Sequence, residues 1–236
     1  MGRAVLPPLC VFALGVVLLV GCQEVVHTVA LTVTVVEAPS FEDIVEGPPL
    51  AGVELCEADT ANCETTDSVG FASIRLPANR AVSYTLSKDG YVPYLIGDVT
   101  DETFTGATSG PWPMARDESA EDFSGLNMIP YPWQGGRVVL RTFPAAEGVT
   151  FDLVGQRATA YYATEDGVPT LGLTATTSDG QGGFFQVTAG EYQFEFGGAA
   201  TGCVPGLARP GDSATRIDVS VRVGYFNFGS MNCDEP

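Results

Sequence analysis

Short segments in which apolar and polar side chains alternate constrain this chain more than any other feature. The clearest runs from Thr28 to Val36, where every second residue is aliphatic and the residues between them include Thr32 and Thr34. Such alternation is typical of a β-strand with one buried face. Similar segments rich in Val, Thr, Phe and Tyr follow, separated by Gly, Pro, Asn and Asp, and none has the period of a long amphipathic helix. The sequence therefore predicts an all-β fold built of β-sandwiches.

The first 21 residues have the layout of a targeting segment. Arg3 gives a positive start, an uncharged and mostly apolar run extends from Ala4 to Val20, and the small Gly21 precedes Cys22. These are the parts of a secretory signal peptide. Two prolines interrupt a run that is at or below the roughly 17 to 25 residues of a spanning helix, which disfavours an uncleaved membrane anchor.

The end of this segment, Leu19-Val20-Gly21-Cys22, resembles the lipobox of bacterial lipoproteins: an aliphatic residue, a small or aliphatic residue, Gly or Ala, and then Cys. The resemblance implies that the Cys22 sulfur carries diacylglycerol, that cleavage falls between Gly21 and Cys22, and that the new amino terminus carries a fatty acid such as palmitate. Several acyl chains give stable membrane attachment. Gln23 implies the outer membrane, on either face. The alternative is an ordinary signal peptide with an incidental cysteine.

Charge restricts the partners of the mature chain. Of 11 basic side chains Arg3 is lost with the signal peptide, which leaves 10 against 29 acidic ones and a formal charge of −19. Such a chain repels nucleic acid, so we expect no DNA or RNA partner. A hydrophobic content of 45% is enough for a packed core and argues against a disordered acidic tail.

Cysteine usage agrees with export. With Cys10 removed and Cys22 lipidated, four cysteines remain, and they allow three pairings. We predict the local pairing, because it keeps each disulfide inside one predicted module. Zinc is the competing interpretation, but no histidine accompanies the thiols and their spacing is not that of CxxC pairs. The predicted disulfides are Cys56 with Cys63 and Cys203 with Cys233.

The first half has an order of motifs that resembles the carboxypeptidase regulatory-like and transthyretin-like β-sandwich modules. It covers roughly residues 28–97, and where those modules usually have Gly after a Pro turn this chain has Asn79-Arg80, which tolerates the same left-handed backbone. The resemblance implies an accessory sandwich and no zinc-bearing catalytic domain. The motifs are the Gly52-Val53 strand, the Asp67 to Phe71 turn, Leu76-Pro77, the Tyr84 to Leu86 strand and Gly90-Tyr91.

The pattern divides the chain into a signal peptide (1–21), a lipidated tether (22–27), a first sandwich (28–97), an acidic linker rich in Pro, Gly and Trp (98–134) and a second sandwich (135–236). The fold class is thus two immunoglobulin-like or transthyretin-like sandwiches. Strands of the second half are predicted at Arg137–Phe143, Val149–Val154, Ala158–Thr164, Thr170–Thr177 and Ile217–Phe228.

Two features of the second half carry further predictions. Glu165-Asp166-Gly167 indicates a hairpin turn. The succession of Asp179-Gly180, a Phe strand, an Ala189-Gly190 turn and a Tyr strand echoes the first half, so we predict a degenerate duplication of one module.

Catalytic residues are hard to find in this chain. The only histidine, His27, lies five residues beyond Cys22 and before the first strand, and no serine has a GxSxG elbow. A pair of carboxylates remains possible for a glycosidase-type hydrolase, which requires two acids fixed across a cleft. We therefore predict no enzymatic activity, with an envelope hydrolase as the alternative.

Binding residues fall in two groups. If Trp112, Trp133 and Tyr131 are exposed, they would stack on sugar rings. If they are buried, they would pack at an interface that holds the two sandwiches together, and we favour this second role. We predict no cofactor and no metal site; calcium is the alternative, although no candidate fits an EF-hand loop. The calcium candidates are Asp98, Asp101, Glu102, Asp166 and Asp179.

The function predicted from these features is that of a non-catalytic lipoprotein, which presents β-sandwich modules at the cell envelope for binding or structural roles. Its partners would be the membrane, through the lipid on Cys22, and an unidentified envelope protein or glycan. A carbohydrate-binding lipoprotein is a further alternative.

Overall fold

The computed structural model describes residues 27–38, 47–101, 110–120 and 131–233, and among them it is almost entirely β. None of its helical segments in these ranges is long and apolar enough to cross a bilayer. The strands are β1 (Thr28–Ala38), β2 (Glu54–Glu57), β3 (Cys63–Thr65), β4 (Phe71–Pro77), β5 (Arg80–Ser87), β6 (Tyr94–Thr100), β7 (Trp112–Ala115), β8 (Gly136–Phe143), β9 (Val149–Leu153), β10 (Tyr161–Ala163), β11 (Pro169–Thr170), β12 (Gln181–Val187), β13 (Gly190–Gly198), β14 (Val204–Pro205), β15 (Arg209–Pro210), β16 (Arg216–Val221) and β17 (Phe226–Asn232).

The first sandwich is built around β1, where the alternation of the sequence is confirmed. Leu31, Val33 and Val35 are buried, whereas Thr34 is exposed. β1 pairs antiparallel with β4 and parallel with β7 to form one sheet. β3, β2, β5 and β6 follow one another in the facing sheet.

The second sandwich repeats this arrangement strand for strand. β8 pairs antiparallel with β12 and parallel with β17, as β1 does with β4 and β7. β9, β13 and β16 are antiparallel neighbours in the facing sheet, as β2, β5 and β6 are in the first sandwich. Six strands therefore correspond, and the second sandwich adds the β10–β11 hairpin, β14 and β15.

The hydrogen bonds around one buried threonine show the repeat most closely. The Thr66 hydroxyl donates to the Leu50 carbonyl and accepts from the Val53 amide, at 2.8 and 2.9 Å. In the second sandwich the Thr176 hydroxyl donates to the Ala146 carbonyl and accepts from the Val149 amide, at 2.6 and 2.9 Å. In both halves the donating amide stands three residues after the accepting carbonyl, so the two halves contain one structural motif twice.

The turn after this threonine also recurs. Gly70 and Gly180 each stand four residues beyond it with a positive φ, 76° and 67°. A Cβ on either would collide with backbone, 2.3 Å from the Val35 oxygen or 2.7 Å from the Ala145 Cα. Glycine is therefore required at both turns. In the next turn Asn79 has φ 58°, which confirms that Asn replaces Gly there in the left-handed region.

Each sandwich has its own apolar core. The first contains Leu31, Leu55, Leu76, Tyr84 and Leu86, all at most 1% exposed. The second core is built around five buried aromatic rings. Burying each such side chain contributes about 1.5–3 kcal/mol. The largest residues of the second core are Phe151, Phe184, Phe194, Phe196 and Tyr162.

The two sandwiches are joined by β17, the last strand of the second. Besides β8, it pairs in parallel with β6 of the first sandwich, where Phe226 lies opposite Tyr94 and Phe228 opposite Ile96. One sheet of ten strands therefore continues from β3 to β11. Phe226 belongs to the core of the first sandwich although its strand completes the second.

The predicted strand Ile217–Phe228 is wrong: it is two strands in different sheets. β16 buries Ile217, Val219 and Val221 as expected, but Val223 is 45% exposed and Gly224 turns the chain with φ 77°. The Asn227 side chain holds the turn, since it accepts from the Arg222 amide at 2.8 Å and donates to the Tyr225 carbonyl at 3.0 Å.

Two further expectations differ from the structure. Of the predicted strand Thr170–Thr177, only Thr170 belongs to a strand, β11. Leu171 is exposed, and the Thr176 hydroxyl accepts a hydrogen bond from the Val149 amide of β9. The hairpin turn at Glu165-Asp166-Gly167 is confirmed by the pairing of β10 with β11. Within the region assigned to the linker, residues 112–115 form β7, which pairs with β1.

Candidate functional site

Several predicted site residues lie outside the described part of the chain. These are Gly21 and Cys22, assigned to cleavage and lipidation, and Glu102, a calcium candidate. His27 is described: it is exposed, and its carbonyl accepts a 2.9 Å hydrogen bond from the Ala78 amide at the start of β1. Its position before the first strand is that expected of a linker residue.

Both disulfides are present with the local pairing. Cys56 and Cys63 lie opposite each other on β2 and β3, and their bond closes the hairpin between these strands. Cys203 immediately precedes β14, and Cys233 immediately follows β17, with which β14 pairs. The second disulfide therefore fastens the joining strand to its neighbour.

The predicted aromatic residues gather at the junction of the two sandwiches. Trp133 is 5% exposed and packs edge-on against Phe226, with ring centroids 4.9 Å apart. Trp112 packs in the same way against Phe228 at 5.3 Å, and Tyr131 against Trp133 at 5.3 Å. This geometry favours a role in holding the two sandwiches together over an exposed row of rings that stacks on sugars.

The calcium candidates are not brought together. Asp98 and Asp101 lie near one end of β6, Asp166 is in the β10–β11 turn, and Asp179 faces Arg141 at 4.0 Å. In the described residues no group of three or more His, Cys, Asp or Glu is arranged to hold a metal ion.

Burial raises the pKa of two of these carboxyl groups. Burial raises the pKa of Asp98 to about 6; a hydrogen bond from the Val99 amide opposes the shift, and the Asp101 charge adds to it. Burial also raises the pKa of Asp179, and the Arg141 charge opposes the shift. Each group has its own environment, and neither forms a two-carboxylate site with the other.

A cleft of about 680 Å³ that the sequence did not reveal lies beside the junction. Three residues directly opposite one another across β3, β2 and β5 form part of its lining: Thr65, Glu54 and Ser87. Directly opposite residues project from the same face of a sheet. They project outward, because neighbouring Leu55 and Leu86 are buried in the core.

The walls of the cleft come from both sandwiches. The turn Lys88–Tyr91 lines one part of it and is linked to a short 3₁₀ turn, Asp117–Ser119, by a 3.0 Å hydrogen bond from the Asp117 amide to the Gly90 carbonyl. Tyr225, from the turn between β16 and β17, lines the cleft from the second sandwich. The pairing of β17 with β6 therefore also completes this cleft.

Charged groups surround the Tyr91 ring at the edge of the cleft. Lys88 Nζ and Arg116 Cζ lie 6.0 and 5.5 Å from its centroid, and its hydroxyl hydrogen-bonds Glu37. The side-chain hydrogen bond from Arg116 is the main cause that lowers the pKa of Glu37. Lys88 Nζ also donates to the Ala51 carbonyl at 2.7 Å, so its ammonium group is already engaged.

Asp117 connects the cleft to one of the predicted binding residues. Burial raises the pKa of Asp117, while a hydrogen bond from the Tyr131 hydroxyl acts in the opposite direction. Burial and the Asp117 charge raise the pKa of Tyr131. Tyr131 thus positions a cleft carboxylate as well as packing on Trp133.

Sequence reasoning missed the cleft because strand register creates it. The Gly90-Tyr91 motif was visible as part of the module resemblance but gave no sign of a site. Glu54 and Ser87 are 33 positions apart, and only the pairing of β2 with β5 places them side by side. Tyr225 falls inside the predicted strand Ile217–Phe228, whereas it lies in the turn between β16 and β17.

Comparisons with known proteins give no family for this chain: no family model and no curated protein matches it. It resembles the solved Bacillus anthracis TIE protein (TM-score 0.28, 12% identity, 89% of this chain and 34% of that chain). It also resembles a minor pilin of the Gram-positive pathogen Streptococcus agalactiae (0.28, 14%, 88% and 97%) and the shaft pilin spaA from Lactobacillus rhamnosus GG (0.26, 12%, 89% and 98%). The chain spans about a third of the first of these proteins, and such low TM-scores support no conclusion on function.

Proposed function

We propose that this chain is a non-catalytic, lipid-anchored protein of the bacterial cell envelope, which presents two fused β-sandwiches for a binding or structural role. The short interval between Cys22 and the fold carries the proposal. His27 follows Cys22 by only five positions and already bonds to the Ala78 amide. Five extended residues span at most about 18 Å. Lipid on Cys22 would therefore hold the body close to a membrane.

Composition and covalent structure support an envelope location. Two disulfides indicate an oxidising compartment outside the cytosol. A mature charge of −19 keeps the body from anionic head groups and from nucleic acid. The membrane is proposed to be the outer membrane, and the partner an envelope protein or glycan. No cofactor is required.

The site geometry also supports a role other than catalysis. A glycosidase-type hydrolase needs two carboxylates fixed across one cleft. Asp98, whose pKa is raised to about 6, lies four residues beyond Tyr94 on β6, about 13 Å along the strand from the end that adjoins the cleft. The carboxyl group with this raised pKa is therefore not one of the acids that line the cleft, which are Glu54, Asp89 and Asp117.

Metabolic labelling with an alkyne fatty acid, followed by membrane fractionation, tests the anchor. Cys22→Ala should abolish labelling and leave the protein unprocessed, because the acceptor sulfur is removed. Cys10→Ala is the matched control in the same leader and should retain both labelling and membrane association. Full labelling of Cys22→Ala, or loss of labelling only in Cys10→Ala, would overturn the proposal.

A further inference from the structure

The cleft beside the junction has the size and position of a ligand site that the lipid anchor does not use. Its volume of about 680 Å³ falls within the roughly 300–1,000 Å³ of small-molecule sites. It lies on the first sandwich beside the junction, where Tyr225 of the second sandwich joins its lining, and ligand sites are common where two such units meet. Tyr225 and the Lys88–Tyr91 turn both contribute to its lining.

The polar groups of the cleft are mostly hydrogen-bond acceptors. Glu54, Asp89 and Asp117 contribute carboxylates, and Thr65 and Ser87 contribute hydroxyls. Among the described lining residues the one cationic group, Lys88, is bonded to the Ala51 carbonyl. Three negative charges against one positive charge disfavour an anionic ligand.

The arrangement of these acceptors also discriminates between ligand classes. The acids are distributed around the cleft, and nowhere in the described chain do three acidic, histidine or cysteine side chains converge on one metal position. The row of Thr65, Glu54 and Ser87 spans three strands, about 10 Å at 4.8 Å per strand spacing. An extended ligand with several hydroxyl donors matches this spacing better than a single ion does.

Aromatic rings complete the lining. Tyr225 is partly exposed, and the Arg222 guanidinium lies 5.8 Å from its ring centroid, which restrains the ring on one side. Tyr91, which is buried in the first core, also belongs to the lining. The C–H face of a pyranose packs on such rings while its hydroxyls reach the surrounding acceptors.

We propose that this cleft binds a neutral saccharide of one or two rings, whose hydroxyls donate to Glu54 and Asp117 and whose apolar face packs on Tyr225. The inference deepens the binding role proposed above. It does not depend on lipidation, so acyl labelling and saccharide binding can fail separately.

Titration of the purified full-length protein in detergent tests the inference. The probes are glucose, galactose, mannose, N-acetylglucosamine, cellobiose and chitobiose, with glucuronate as the anionic comparison and cadaverine as a diamine. Binding is measured by calorimetry and by saturation-transfer NMR, which identifies the ring protons in contact. We expect saturable binding of at least one neutral sugar and none of glucuronate.

Two variants locate the site. Glu54→Gln removes a charged acceptor and Tyr225→Ala removes the ring, and each should weaken sugar binding about tenfold or more. Glu64→Gln is the matched control, because Glu64 is also exposed on β3 but does not line the cleft. If Tyr225→Ala unfolds, Glu54→Gln alone decides, since it keeps the shape of the side chain.

The outcomes separate clearly. Neutral-sugar binding that is lost in Glu54→Gln and kept in Glu64→Gln supports the inference. Binding of cadaverine alone would assign the cleft to a cationic partner and overturn it. Sugar binding that both variants retain, or no binding of any neutral probe, would also overturn it.

Discussion

The two sandwiches share six strands in the same order, yet their last strands have different surroundings. β7 closes the first sandwich as an edge, paired only with β1 in the described sheet. β17 closes the second sandwich but lies inside the ten-stranded sheet, paired on one side with β8 and on the other with β6. Edge strands carry unpaired backbone groups. Here the same strand position forms an edge in one copy and a joint in the other.

The comparison explains why aromatic residues concentrate at β17. A strand that serves two sandwiches must contribute to both cores, and Phe226 packs in the first core while Met231 packs in the second. Trp112 and Trp133 pack against Phe228 and Phe226 of this strand. The corresponding strand β7 packs in one core only, to which it contributes Met114 and Ala115.

The largest expected effect is at the joint. Phe226→Ala should lower the free energy of unfolding by about 3–5 kcal/mol, because a ring that is 5% exposed is removed and leaves a cavity beside Trp133. Chemical denaturation followed by Trp fluorescence measures it. Phe71→Ala, at a ring 44% exposed on β4, is the control and should cost less than about 1 kcal/mol. Equal losses in the two variants would show that β17 is not a joint.

A second pair of variants tests the repeat itself. Thr66→Val and Thr176→Val each remove a hydroxyl that donates to a carbonyl and accepts from an amide. Each should lower the free energy of unfolding by about 1–3 kcal/mol, and the two losses should agree within about 0.5 kcal/mol. Denaturation curves of the two proteins give the comparison. Thr66→Ser and Thr176→Ser keep the hydroxyl and should recover most of the loss. A neutral result at one site only would break the equivalence of the halves.

The smallest expected effect is at Asp98 on β6, a half-buried carboxyl group. The Asp98 pKa is raised to about 6 from an unfolded value near 3.9, so the folded state favours the protonated form. Protonated Asp98 therefore contributes to the free energy of unfolding in full below about pH 4, and this contribution is lost as the pH rises through 6. At pH 7 Asp98→Asn should therefore be more stable than the parent by up to about 2 kcal/mol.

Thermal unfolding between pH 4 and 7 checks this sign. The gap between Asp98→Asn and the parent should open as pH rises and close below pH 4. Asp166→Asn, in an exposed turn, is the control for removing one negative charge. A gap that widens on acidification would contradict the assignment of burial as the cause.

The sequence predicts the local parts of this fold well. Alternation located β1, β8 and β9, and cysteine spacing within modules gave both disulfides. The turn signals of Gly70 and Gly180 were visible because the backbone there requires glycine. These features depend on neighbours along the chain, which a sequence displays directly.

The joint and the cleft depend on contacts between distant residues and were missed. Alternation continues from Ile217 through Tyr225 and hides the turn signal of Gly224, and the Asn227 amide that stabilises the turn has no local signature. The row of Thr65, Glu54 and Ser87 exists only through register. The parallel pairing of β17 with β6 joins segments about 130 residues apart, and no local signal encodes it.

Hydrogen exchange during equilibrium unfolding tests the joint most directly. Backbone amides of β1 in the first sandwich and of β13 in the second are followed by mass spectrometry across a denaturant series. If β17 makes one body of the two sandwiches, both sets should lose protection at the same denaturant midpoint. Two separated midpoints, with one sandwich exchanging fully while the other remains protected, would contradict the account.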